Sequence, residues 1–211
     1  MRGALVPVVL TVDQRASRSR TDGVPDLLAL LPPGPGFLRP FQRTVGDEVQ
    51  AVLADADHVV DTVGTLLRDG GWWVGLGIGP VEQPLPPDAR AGRGAAYLRA
   101  RDAVTRAKTT PHRIVVVGGD DYRAEQLETV LWLWAGLLER RTDRGWEVAD
   151  ALGDGLSHAE AGRRLGISQS AVTQRTQAAG LVDERLARRL ATQLLSEMLS
   201  ETPHEEKEDQ R

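Results

Sequence analysis

Amide, hydroxyl and guanidinium side chains able to engage a nucleic acid gather between Ser157 and Ala179. Gln169, Ser170, Thr173 and Gln174 are spaced so that a helix sets them on one face. Glutamine can hold adenine through two hydrogen bonds, and serine or threonine can reach either bases or phosphates. Arg163, Arg164 and Arg175 are candidate phosphate contacts, which orient a protein on a duplex without reading its sequence. Ser168 stands at the head of the same segment, where its hydroxyl can cap a helix or meet the nucleic acid.

A second set of candidates lies near the N-terminus. Asp13 follows a strand-like run, and Gly46-Asp47-Glu48 forms the tip of a hairpin. Carboxylates meeting there would share Mg²⁺, a hard cation that prefers oxygen ligands and binds phosphates. Gly-Asp-Glu is also an ordinary surface turn, so a purely structural use of Asp13, Asp47 and Glu48 stands beside the metal site. Arg15, Arg18 and Arg20 are phosphate candidates or solvated loop charges.

The elements that must hold these groups follow from periodicity and turn chemistry. Leu5–Val12 is β-branched and reads as a buried strand. Gln14–Gly23 reads as loop and Val24–Leu31 as a short helix. Phe37–Val45 is a strand that Pro40 confines to an edge or a bulge. Glu48–Leu53 pairs with it, Ala56–Arg68 is a helix, and Trp72–Ile78 is a strand. Ala95–Lys108 is a helix and Arg113–Val117 a last strand. The resulting order, β-α-β-β-α-β-α-β, predicts one sheet with helices packed on it. Ala124–Arg141 is a connecting helix with a broad apolar face.

Beyond it the pattern is all helical. Ser157-His158-Ala159-Glu160 has the form of a capping box. Gly166 supplies a tight turn, Ile167 an apolar plug, and Ser168 a cap for a helix over Gln169–Ala179. Small Gly162 suits a close helix crossing, and Val172 faces the core. This spacing is the signature of a two-helix DNA-reading unit. A hairpin used only for packing is the competing reading. Ser157–Gly180 carries three Arg against one Glu, a net +2, so a single copy would bind DNA weakly and a homodimer would double its contacts. Leu186, Leu190, Leu194 and Met198 recur every four residues, as core packing or as a dimer seam.

Ala159–Arg175 resembles the helix-turn-helix of sigma-factor region four and of LuxR-type regulators, which implies that the second helix enters the major groove. Leu5–Val117 resembles the palm-like domain of class III nucleotidyl cyclases and GGDEF proteins. The resemblance rests on Asp13 after the first strand, on Gly46-Asp47-Glu48-Val49 and on Gly75-Leu76-Gly77-Ile78-Gly79. Arg106-Ala107-Lys108 at a helix end completes it. Val45 and Val49 stand where the GGDEF motif has its first glycine and its phenylalanine. SatD-like proteins, reduced members of that group, resemble the chain more closely. The resemblance implies metal ligation by Asp13 and Asp47, phosphate binding by Lys108, and Mg²⁺ with a nucleotide as possible ligands.

The expected architecture is therefore α+β. A ferredoxin-like, nucleotidyl cyclase-like palm spans residues 1–122, and a connector helix spans 123–142. An all-α helix-turn-helix domain follows over 143–200, then a disordered acidic tail over 201–211. The expected function is sequence-specific DNA binding in transcriptional control, with the palm dimerising or sensing a nucleotide or metal. A Mg²⁺-dependent enzyme acting on nucleotides and a protein-docking adaptor are the alternatives.

The 211 residues include no cysteine, which excludes disulfides and thiolate metal sites. No apolar run of membrane-spanning length occurs, and the N-terminus lacks the pattern of a signal peptide, so a cytoplasmic location is expected. The four histidines are scattered without metal-ligand spacing. The net charge of −4 argues against a general nucleic-acid coat but leaves room for a local site.

Overall fold

The computed structural model describes residues 6–17 and 21–200. Leu5, the phosphate candidates Arg18 and Arg20, and the tail 201–211 lie outside them. The described chain forms two compact units: one holds the residues up to Thr129 together with those from Ala191 onward, and the other is Val130–Leu190. The chain thus returns to the first unit after Leu190, which a division along the sequence does not express.

The first unit carries β1 (Val8–Gln14), α1 (Val24–Leu30), β2 (Phe37–Arg43), β3 (Glu48–Leu53), α2 (Ala56–Asp69), β4 (Trp72–Ile78), α3 (Ala95–Ala107) and β5 (Ile114–Val117). The expected alternation of strands and helices is present. The five strands form one mixed sheet in the order β2-β3-β1-β4-β5. β1 lies between β3 and β4, antiparallel to both, and β5 runs parallel to β4.

Val8, Val9, Leu10 and Val12 are all fully buried, because the central strand is covered on both faces. One polar pair interrupts this interior. Gln50 Nε2 donates to Thr11 Oγ1 at 3.0 Å, and the two residues face each other across β1 and β3. Each buried polar group thereby satisfies the other. β2 is an edge strand, and its pairing with β3 slips between Phe37 and Arg39 and again between Arg39 and Gln42. Pro40 lies within the second slip, where the missing N–H costs no ladder bond.

β1 extends further than the sequence pattern suggests. Asp13 is inside the strand rather than just past it, and Gln14 is strand rather than loop. The cause is tertiary. Gln14 pairs with Trp72 of β4. Its side chain accepts from Gly23 N at 2.8 Å and donates to Thr21 O at 2.7 Å, which ties the following loop back to the strand.

Gly75 and Gly77 decide where α3 lies. They alternate along β4 and so share a face. A Cβ on Gly75 would lie 2.3 Å from Val104 N, and one on Gly77 would lie 2.1 Å from Ala96 O. The sequence suggests close approach within the sheet at these glycines. The approaching backbone belongs instead to helix α3. Small residues on α3, Ala96, Ala100 and Ala103, are fully buried and complete the contact.

The second unit contains the end of α4 (Asp121–Glu139), then α5 (Asp143–Gly153), α6 (His158–Leu165), α7 (Gln169–Ala178) and the start of α8 (Leu181–Ser200). Helix α4 stops two residues before Arg141, which turns inward. The Arg141 side chain is 1% exposed and pairs with Glu184 at 2.7 Å. It also donates to Ala179 O at 3.0 Å and lies over the Trp146 ring at 4.3 Å. A buried guanidinium needs this full set of partners.

On α8 the apolar repeat divides: Leu186 and Leu190 are exposed, whereas Met198 is buried, as is Leu195 beside the repeat. Among the described residues, no helix is long and apolar enough to cross a membrane.

Candidate nucleic-acid interface

The α5–α7 segment is built around a small apolar centre of Val148, Ala151, Ala161 and Val172, with Leu156 and Ile167 packed against it. Three short helices sharing one centre are held by their ends as much as by their faces. Thr142 caps α5 by accepting from Gly145 N. Ser157 and Glu160 form a complete capping box at the start of α6, each side chain answering the other residue's backbone N–H. Ser168 caps α7 by accepting from Ala171 N at 3.2 Å.

Helix α6 ends at Gly166, whose φ of 66° lies in the left-handed region that glycine occupies without penalty. Gly162 is small for a reason one step removed from the expected helix crossing. A Cβ there would meet the turn itself, 2.8 Å from Ile167 O. Ile167 N in turn donates to Gly162 O at 3.0 Å. The turn Gly166-Ile167-Ser168 is thus folded back onto α6, and this sets the direction in which α7 leaves.

The capping box makes the unit sensitive to acid. Hydrogen bonds from the Ser157 side chain and backbone, with a smaller contribution from the Arg163 charge, hold the Glu160 carboxyl below the usual value of 4.5. A depressed carboxyl stabilises the fold above its unfolded value, and that contribution disappears as pH falls through the folded one. Ser157→Ala is therefore expected to flatten the dependence of melting temperature on pH below about 4.5. At neutral pH it should cost about 1 kcal/mol, the usual worth of a serine cap. Thermal melts of both proteins across that range measure the two effects.

The candidate contacts separate into three groups. Gln169, Ser170 and Gln174 are exposed on α7. Thr173, expected on the same open face, is half-buried, and its hydroxyl is engaged by His158 Nδ1 at 3.1 Å. Ser168 is occupied by its capping role and lies 2.9 Å from Ser170 Oγ. Of the arginines, Arg164 pairs with Asp154 at 2.5 Å and Arg175 with Glu147 at 3.5 Å, while Arg163 is exposed. A DNA phosphate at Arg164 or Arg175 would displace a carboxylate. Asp154 and Glu147 were not legible as partners, because they lie ten and twenty-eight residues away along the chain.

The N-terminal candidates come together only in part. Asp13 lies directly opposite Glu48 on β3 and Trp73 on β4. Lys108, immediately after α3, reaches Asp13 with Nζ 2.5 Å from Oδ2, the Asp13 side chain being 17% exposed. Glu48 accepts from Thr44 Oγ1 at 2.5 Å. Asp47 Oδ2 is buried without a hydrogen-bond partner. Arg15 donates to Gly70 O at 2.8 Å and lies over the Trp73 ring, which gives it a structural role.

Among the described residues, no group of three or more histidines and carboxylates is placed to hold a metal ion. Asp13 is answered by an ammonium and Glu48 by a hydroxyl. This donor set does not fit a resident Mg²⁺ ion, which needs oxygens open to it.

The chain matches no protein-family model, no curated protein and no solved structure.

Proposed function

We propose that this protein binds DNA in a sequence-specific manner as a cytoplasmic transcriptional regulator, with α6 and α7 as a helix-turn-helix and α7 in the major groove. The observation that carries this reading is the pair of short helices joined by a left-handed glycine. The second helix is capped by Ser168 and presents the uncharged hydrogen-bonding side chains Gln169, Ser170 and Gln174 outward. α7 has Val172 as its one fully buried residue, so most of its surface is open to a partner. Amides and hydroxyls are the groups that match base edges.

The first unit is read as a ferredoxin-like palm, on the support of its β2-β3-β1-β4 order and its antiparallel centre. It serves dimerisation or the sensing of a nucleotide. A ligand there alters DNA affinity only if it binds two states of the protein unequally.

Selection from a genomic DNA library with the full-length protein, near physiological salt, tests this reading. A recovered motif is expected, and a palindrome would indicate a homodimer. Failure to enrich any sequence, with folded protein and with nucleotides and Mg²⁺ present, would overturn it.

A further inference from the structure

His158 of α6 and Thr173 on the outward half of α7 meet through their side chains. His158 Nδ1 lies 3.1 Å from Thr173 Oγ1. The same oxygen lies 3.2 Å from the carbonyl of Gln169, four residues earlier in α7. A carbonyl oxygen only accepts, and a hydroxyl has a single proton. Thr173 therefore gives its proton to Gln169 O, and His158 must donate from Nδ1. The imidazole is thus held in a form that carries a proton on Nδ1, and the hydroxyl has none left for a base or a phosphate.

These two bonds fix the rotamer of Thr173. A β-branched side chain is stiff at χ1, and here its hydroxyl is turned toward His158 and toward the preceding turn of its own helix. Beyond one remaining lone pair on the hydroxyl oxygen, what Thr173 can offer a ligand is its methyl group. Threonine methyls make apolar contact with the C5-methyl of thymine in the major groove, the one apolar feature on a base edge there.

We infer that Thr173 reads a thymine methyl, and that His158 is the positioning residue that turns it to do so. The inference rests on the DNA-binding reading above and names what one residue of the recognition helix recognises. It assigns to Thr173 an apolar role in place of the hydrogen-bonding one that its residue type suggests. It also gives a role to a histidine that stands in no metal pattern.

The test uses full-length protein and the DNA site recovered by selection. Each thymine of the site is replaced in turn by uracil, which differs only in lacking the C5-methyl. One replacement per half-site is expected to weaken wild-type binding roughly fourfold, the worth of one buried methyl group. Thr173→Val keeps the methyl and should keep that sensitivity, although it loses both hydrogen bonds. Thr173→Ser keeps the hydroxyl and should lose it. His158→Ala should blur the preference at the same base pair, and His158→Asn, which restores a donor near Nδ1, should recover it.

Because the uracil replacements leave the protein untouched, a variant that misfolds does not weaken the test. If no uracil replacement weakens binding, or if Thr173→Ser stays as sensitive as wild type, the Thr173 methyl does not make the contact and the inference is overturned. In that outcome the DNA-binding reading still stands. If selection recovers no site at all, it is that reading which fails.

Discussion

Gln169→Ala combined with Gln174→Ala is expected to reduce binding to the preferred DNA site by about 30-fold or more while barely changing binding to unrelated DNA. Each bidentate glutamine–adenine contact is worth about 1–3 kcal/mol of discrimination, or about 5- to 150-fold. Both side chains are exposed. Removing them leaves Ser168 at the helix cap and Val172 in the centre of the unit.

Alanine is also a better helix former than glutamine, so helical content and melting temperature should hold or rise slightly. The salt dependence should stay the same, because neither glutamine releases a counterion. Arg163→Ala should do the opposite, weakening all sequences alike and reducing the slope of log affinity against log salt by about 1. Binding titrations of the two proteins on specific and random duplexes at several salt concentrations separate these patterns. If the double variant keeps the wild-type preference, α7 is not the reading helix.

Gly77→Val is expected to destabilise the first unit by more than about 3 kcal/mol, beyond the ordinary cost of overpacking a core. Propensity points the other way. Valine is a far better strand residue than glycine, by up to about 1 kcal/mol. The steric effect wins because the added Cβ would lie 2.1 Å from Ala96 O and 2.3 Å from Ala100 N. Those are backbone atoms of α3, and no rotamer change can move them. The helix would have to lift off the sheet, exposing Ala100, Ala103 and the strand beneath.

Gly46→Ala is the matched control. A Cβ there meets nothing within 4 Å, although φ is 60°, so only the left-handed backbone penalty of about 1–2 kcal/mol applies. Urea denaturation followed by far-ultraviolet circular dichroism compares the two. Equal stability of Gly77→Val and wild type would mean that α3 does not lie on these glycines.

The features that the chain declared by itself are the local ones. Ser157-x-x-Glu160, Gly166 and Ser168 announce helix ends because a cap is completed within three or four residues, by backbone groups that have no other partner. The order of strands and helices follows in the same way from residue periodicity and turn residues. So does the placing of Gln169, Ser170 and Gln174 on an open face, since a helix repeats every 3.6 residues wherever it lies.

Tertiary structure decided whatever depends on groups distant along the chain. Asp13 lies within β1 because Gln14 finds Gly23, Thr21 and Trp72. Lys108 meets Asp13 across 95 residues, which turns a candidate metal ligand into an ion pair. Leu186 and Met198 belong to one apolar repeat, yet one is exposed and the other buried. Thr173 lost its free hydroxyl to His158, fifteen residues away. In each case the residue type states what a side chain can do, and the partner that long-range folding brings to it determines which of those possibilities is used.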